Sequence, residues 1–306
     1  MKARSSAISL IVNRHAGRFR TPPSVDELVA ILTRYGLRPE PILIEKGQDP
    51  GEAARAALRR GAQTLVAAGG DGTISSVAAA LVDSEAILGV LPIGTLNHFA
   101  KDLRIPVDIE RAATVLAKGR VAKIDVGEVN GRVFINNSGI GVYPRMVKWR
   151  EEYRRMGATQ LTALFWAAVT AARRMPFLRL RLTADGTDVT LVTPLIFIGN
   201  NEYEVAGFTS GRRRRVDAGQ LFLCAVHATT PTRLMRLSLM ALLGRLRQDD
   251  DFHSVCVAEA WIETRQLWVR VSLDGEVVRL ATPLHYRARP GALRVLVPQE
   301  EIVSEP

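Results

Sequence analysis

Residues 65–103 read LVAAGGDGTISSVAAALVDSEAILGVLPIGTLNHFAKDL. A short apolar strand empties into Gly69, Gly70, Asp71, Gly72 and Thr73, and about twenty residues later a second strand ends in Pro92, Ile93, Gly94, Thr95, Leu96 and Asn97. Each turn leaves a buried strand and enters a helix, so the two present unpaired backbone N–H groups on one rim of a sheet. Glycine is needed there because a Cβ obstructs positive φ angles and the close approach of backbone to an anion. The helices starting near Thr73 and Leu96 add the partial positive charge of their N-termini. The pair of turns reads as a phosphate site, with Gly69, Gly70, Gly72, Thr73, Gly94, Thr95 and Asn97 as its candidate binding residues.

Asp71 sits among these glycines. A carboxylate beside phosphates calls for a cation or a proton nearby, and a Mg²⁺ bridge or a proton transfer meets that need. The alternative is that Asp71 caps the following helix or tightens its turn.

On either side of this core the chain up to about residue 120 alternates apolar and amphipathic segments. Strands are expected at Ile8–Val12, Pro41–Ile44, Thr64–Ala68 and Ile87–Leu91, with helices at Ser24–Tyr35, Gly51–Arg60 and Ile74–Val82. That alternation predicts a parallel, Rossmann-like α/β sheet with helices on both faces, and it places both glycine turns at carboxyl ends of strands. From Val121 the pattern becomes β-rich: 121–129, 133–136, 178–184, 189–198, 221–228, 255–263 and 267–273 read as strands of an antiparallel β-sandwich. Helical spacing interrupts it at 143–175 and 232–247, the second segment being cationic and amphipathic. The expected organisation is a nucleotide-binding α/β domain over 1–125 and a β-sandwich domain over 126–279.

The GGDGT of Gly69–Thr73 together with PIGTLNHFAKDL at 92–103 resembles the catalytic domain of the diacylglycerol kinase and sphingosine kinase superfamily, nearest its bacterial soluble lipid kinases. NAD kinases, and more loosely phosphofructokinases, carry a related first loop, but an NAD kinase is expected to show Asn-x-Gly-x-x-Gly-Phe where this chain has Gly94-Thr-Leu-Asn-His-Phe99. The likeness extends to Asn13 with Gly17, where Arg14 replaces a proline, to Lys123–Gly127, Phe134–Gly141 and Gly199–Asn201, and to Ser272-Leu-Asp-Gly-Glu276. It implies an ATP- and Mg²⁺-dependent lipid kinase in which Asn13 lies near the nucleotide and Asp71, a catalytic residue, holds the metal or helps to remove the proton of the acceptor hydroxyl. It further implies Glu276 as general base, Asp125 as its support, and a segment from about 280 to 306 that returns to the first domain. Read without the resemblance, Asp274-Gly275 is an ordinary hairpin turn. Two further positions depart from the family pattern: His98 stands where many members have Asp, and Ala218 takes the place of an Asp that supports a structural Mg²⁺.

The composition limits the remaining choices. With 306 residues and 47% hydrophobic content the chain can bury real cores. No apolar run approaches the roughly twenty residues of a membrane span, and the opening residues have too short an apolar core for a secretory signal. Cys224 and Cys256 lie in apolar segments without metal-ligand spacing, which suits reduced buried thiols. A net charge of +10 concentrated in arginine, with Arg212–Arg215 consecutive, suits either an anionic membrane surface or solvated faces. No zinc-finger or RNA-binding signature accompanies it, so no nucleic acid is expected.

The expectation is therefore a cytoplasmic enzyme, peripherally attached to the inner face of the cell membrane, that phosphorylates diacylglycerol or a related lipid. Ceramide, sphingoid bases and phosphatidylglycerol are alternative acceptors. A non-catalytic lipid-binding relative and an NAD kinase-type enzyme are the rival classes. A homodimer is one oligomeric state the sequence leaves open.

Overall fold

The structure is a computed structural model and describes residues 7–13, 23–141, 177–203, 213, 215–226 and 252–299. The helical segments expected at 143–175 and 232–247 lie outside these residues. The chain forms two units, one from Met1–Val126 with Gly291–Pro306 and one from Gly127–Pro290. It crosses between them within two strands, β5 (Arg120–Val129) and β16 (Leu284–Val297).

In the first unit, β1 (Ala7–Val12), β2 (Arg38–Leu43), β3 (Thr64–Gly69) and β4 (Ile87–Pro92) form a parallel sheet in the order β2-β1-β3-β4. The end of β16 joins beside β4, with Arg294 and Val295 paired in parallel to Ile87 and Leu88. Successive residues of β3 and β4 are buried on both faces, which explains why these strands read as unbroken apolar runs rather than alternating ones. Helices α1 (Val25–Arg34) and α5 (Ile109–Lys118) pack together, as do α2 (Pro50–Arg59) and α3 (Asp71–Leu81).

Local signals set the helix starts. Ser24 and Glu27 form a reciprocal capping box on α1, Asp49 caps α2 ahead of Pro50, and Asp108 caps α5 through Arg111 N. Helix α5 was not among the expected elements, although Asp108 followed by an acidic first turn is its signature.

The second unit is built from antiparallel strands. One sheet has the order β12-β11-β10-β7-β14-β15, formed by β7 (Asn137–Gly141), β10 (Leu195–Asn200), β11 (Leu221–Val226), β12 (Phe252–Val257), β14 (Trp268–Leu273) and β15 (Glu276–Ala281). The other brings β9 (Thr187–Thr193), β8 (Leu178–Ala184), β13 (Glu259–Thr264) and the start of β16 side by side, with β6 (Arg132–Phe134) on β5. Their inner faces share one core that includes Phe134, Ile140, Leu180, Ile198, Ile262 and Tyr286.

Three expected strands are interrupted, and each break carries the chain from one sheet to the other. The run 133–136 gives way between Phe134 and Asn137, 189–198 breaks at Pro194, and 255–263 breaks at Ala258. Pro194 has no N–H for a ladder, so the alternation stops there for a chemical reason. Within the segment expected to return from about 280, residues 284–297 form one long strand, β16.

Cys224 and Cys256 are free thiols on the adjacent strands β11 and β12. Burial pushes the Cys224 thiol up to about 11, in keeping with an unreactive core group.

Asp49 provides a test of helix capping. Burial tends to raise its carboxyl, but hydrogen bonds from Ser76 Oγ and Gly51 N and the charge of Arg55 outweigh that, leaving it below its usual 3.8. A depressed folded-state value is stabilising above the unfolded value and lost as pH falls through the folded one. Asp49→Ala is expected to cost about 1 kcal/mol at neutral pH. In urea melts the gap between wild type and variant should narrow as pH falls below 3.8.

Candidate active site

The order β2-β1-β3-β4 makes the chain turn one way after β1 and the other way to reach β3. The crevice at the carboxyl ends of β1 and β3 is thus the switch point where open α/β sheets bind ligands. Asn13 follows β1 there, and its backbone N donates to Ala68 O at 3.0 Å. Its Nδ2 donates to Thr73 Oγ1, also at 3.0 Å. Thr73 is buried at 4% exposure and its side chain fills the space beside Gly69, where a Cβ would stand 2.5 Å from Thr73 Cβ.

The second turn is held by its own asparagine. Asn97 adopts a left-handed conformation with φ 51°, which asparagine tolerates, and its amide closes on Gly94 from both ends. Asn97 Oδ1 accepts from Gly94 N and Nδ2 donates to Gly94 O, each at 3.0 Å. Gly94 in turn meets the first loop: a Cβ on it would lie 2.5 Å from Gly70 Cα. Ile93 N donates to Gly69 O at 3.1 Å. The two glycine turns therefore touch backbone to backbone.

Asp71 joins the same junction. Gly70, not Asp71, is the N-cap of α3 and supplies no side-chain cap, so among the described residues the first N–H groups of that helix have no side-chain acceptor. Asp71 Oδ1 instead accepts from Phe99 N at 3.3 Å, in the first turn of α4 (His98–Asp102). The capping role considered for Asp71 thus falls on the other loop's helix. Its second carboxylate oxygen makes no hydrogen bond among the described residues.

The side chains of Thr73 and Asn97, two of the candidate binding residues, are buried and engaged in bracing the turns. Thr95 and His98 are exposed, and a Cβ at Gly72 would meet only open space. What faces outward is backbone, the Thr95 hydroxyl, the His98 imidazole and the partly exposed Asp71 carboxylate.

Asp125, also in the first unit, is 2% exposed on β5, and its Oδ1 accepts from Gly291 N at 2.8 Å. Its carboxylate meets β16 at Gly291, whose φ is 60°. The sequence pattern offered no sign of this partner.

In the second unit Asp274 and Gly275 form the two-residue turn between β14 and β15, with φ values of 47° and 92°. Both the hairpin reading and a more specific role hold for this element. The Asp274 carboxylate accepts from the backbone N–H groups of Ile135, Asn136 and Asn137 at 2.8, 2.8 and 3.0 Å. Asp274 N donates back to Asn137 O at 2.8 Å. Glu276, exposed two residues on, is carried by a turn anchored on β7 and the loop before it.

Arg213 corrects the reading of the arginine run. It is buried at 7% exposure, with Nη1 donating to Ile135 O at 2.7 Å and Nη2 to Asn136 Oδ1 at 3.4 Å. That residue serves the interior of the unit rather than a lipid surface. Arg215 pairs with Asp217 at 3.0 Å. Arg212 and Arg214 lie outside the described residues.

Comparison with known proteins agrees with this architecture. The diacylglycerol kinase catalytic domain matches residues 7–129, and the YegS C-terminal NAD kinase beta sandwich-like domain matches 141–297. A protein of Cronobacter sakazakii named "Probable lipid kinase YegS-like" is 30% identical over 278 residues, covering 85% of this chain and 87% of its own. A Pseudomonas aeruginosa protein of the same name is 32% identical over 260 residues, 82% of each chain. The crystal structure of a diacylglycerol kinase from Bacillus anthracis superposes with a TM-score of 0.69 at 20% identity, covering 97% of this chain and 98% of that one. Yeast NADH kinase shares the fold more distantly, with a TM-score of 0.56 at 11% identity over 96% of this chain and 84% of that one. The chain belongs to the YegS and diacylglycerol kinase-like lipid kinase family.

Kinase membership implies ATP, and the paired turns suit its phosphates: open backbone at Gly72, an uncapped helix start and a contact that only glycines permit. No group of three or more metal-ligating side chains occurs among the described residues. Mg²⁺ needs no such cage, since one carboxylate plus phosphate oxygens and waters complete its octahedron, and Asp71 is a fitting donor.

The contact between turns is testable by crowding it. Gly94→Ala forces a methyl against the Gly70 backbone and is expected to lower unfolding free energy by about 1–3 kcal/mol. Thr95→Ala, on an exposed neighbour, should be near neutral. Chemical denaturation of both variants checks the difference.

Proposed function

We propose that this protein transfers the γ-phosphate of ATP to a hydroxyl of diacylglycerol or a related lipid. The observation that carries this reading is the backbone contact of Gly94 with Gly70, beside a carboxylate with one oxygen uncommitted among the described residues. Family membership supports a lipid as the acceptor class and ATP as the donor.

In this mechanism the backbone N–H groups of Gly70–Thr73 and of Thr95 and Leu96 in the second turn bind the phosphates, reinforced by the N-terminus of α3, while the Gly94 N–H stays on Asn97 Oδ1. Asn13 and Thr73 hold the first turn in place through their mutual hydrogen bond. Asn97 fixes the curvature of the second. Asp71 would hold Mg²⁺, which when bound supplies charge neutralisation for the transferring phosphoryl group.

A lipid oxygen forms the new bond to γ-phosphorus as the bond to the departing ADP oxygen breaks. The hydroxyl proton passes to Glu276, whose turn is set by the Asp274 carboxylate, and Asp125 is assigned a supporting electrostatic part. The lipid acceptor places the enzyme at a membrane surface as a peripheral protein. Among the described residues no helix is long and apolar enough to cross a membrane.

The direct test is incubation with γ-labelled ATP, Mg²⁺ and a total bacterial lipid extract, with a parallel arm containing NAD and NADH. Label in a lipid is expected; label only in the dinucleotide would overturn the reading. Asp71→Asn keeps an oxygen for Phe99 N while removing the charge, so the loops should remain intact and turnover should fall at least about 10²-fold. Glu276→Gln should retain nucleotide binding and lose about 10² to 10⁴ in rate. Undiminished turnover by Glu276→Gln under conditions where chemistry limits would remove it from the proton-transfer role.

A further inference from the structure

Among the described residues the second unit exposes its most prominent apolar side chains at the corner where β13 ends in one sheet and β14 begins in the other. Leu267 is 79% exposed and Trp268 54%. This corner is well fixed. Thr264 Oγ1 donates to Gln266 O at 3.0 Å and accepts from Gln266 N at 3.1 Å. Thr282 Oγ1 donates to Gln266 O at 2.7 Å, and Thr282 N donates to Leu267 O at 3.0 Å. The leucine and the indole are presented outward by a braced turn.

Around them stand three exposed arginines. Arg265 lies in the turn itself, while Arg270 of β14 is directly opposite Arg279 of β15. Like charges facing each other across a ladder are unfavourable, and none of the three has a carboxylate partner among the described residues. The Arg279 guanidinium lies 5.8 Å from the centre of the Trp268 ring. A ligand that is both anionic and apolar would relieve the repulsion and cover the corner at once.

We propose that the Arg265–Trp268 corner, flanked by Arg270 and Arg279, is the point at which the protein inserts into an anionic lipid bilayer. This rests on the lipid-acceptor reading above and names the surface that meets the lipid. A folded protein partner needs about 800 Å² per side, whereas even a tryptophan covers at most about 250 Å². A bilayer takes up each side chain independently and imposes no such footprint. Leucine enters the acyl boundary, the indole suits the headgroup level, and arginines reach anionic headgroups while their stems stay apolar. The attachment site is thereby shifted from the arginine run at 212–215, whose Arg213 is buried, to this corner.

Sedimentation of the full-length protein with phosphatidylglycerol–phosphatidylcholine vesicles, without ATP, tests this independently of any phosphoryl transfer. Leu267→Ser/Trp268→Ser is expected to weaken partitioning at least about 10-fold. Arg265→Gln/Arg270→Gln/Arg279→Gln should weaken it on the order of 10²-fold, and wild type should bind neutral vesicles far less. In a variant keeping only Trp268 of the 4 tryptophans, emission should shift to the blue on vesicles and be quenched by brominated lipid.

Unchanged partitioning of both multiple variants, no vesicle binding by wild type, or an unshifted Trp268 in the bound protein would each overturn the proposal. So would tighter capture by DNA or an acidic peptide than by vesicles at matched salt. Phosphorylation of a water-soluble short-chain diacylglycerol should survive in the Leu267→Ser/Trp268→Ser protein. Vesicle binding by a wild type that phosphorylates no lipid, weakened in both multiple variants, would defeat the kinase reading alone.

Discussion

The close approach of Gly94 to Gly70 is the constraint on which the first unit's site depends. Two strand ends, two turns and two helix starts are brought within one backbone contact, and a single Cβ would separate them. The surrounding side chains serve that contact. Thr73 occupies the space left by Gly69, Asn13 ties β1 to α3 through Thr73, and Asn97 folds its own loop onto Gly94. Asp71 spans from one loop to the helix of the other. Side chains that an isolated motif would assign to ligand binding here shape the backbone, which leaves N–H groups and one carboxylate as the outward chemistry.

The second unit uses a different device for a similar purpose. A single carboxylate, Asp274, satisfies three consecutive N–H groups at a place where the chain passes between sheets and ladder partners run out. The neighbouring carbonyl of Ile135 takes the guanidinium of buried Arg213. The loop at 135–137 is thus charged on both sides and fixed, and the Asp-Gly turn that carries Glu276 inherits that rigidity.

The parallel sheet and its glycine turns were legible because local chemistry and global position agree there. β3 and β4 are covered on both faces, so their apolar runs are unbroken, and glycine marks where each ends. The sandwich strands were legible in kind but not in their limits. Alternation of apolar and polar residues continues as the chain passes from one sheet to the other, and only Pro194 leaves a chemical mark of a crossing. Partner choice was not legible. Asp71 with Phe99, Asp125 with Gly291 and Asp274 with 135–137 join residues remote in sequence, and an Asp-Gly pair looks the same whether its carboxylate is solvated or buried in N–H groups. Arg213 shows the limit from the other direction, since four consecutive arginines read as surface until register takes one of them inside.

The central claim is that the touching glycine turns form the cradle for nucleotide phosphates. A crystal structure of the protein with ADP and Mg²⁺ tests it most directly. The account predicts phosphate oxygens within hydrogen-bond distance of backbone nitrogens from both Gly70–Thr73 and Thr95–Leu96, with the metal on Asp71. Phosphates bound away from these nitrogens, or on one turn with the other uninvolved, would contradict it.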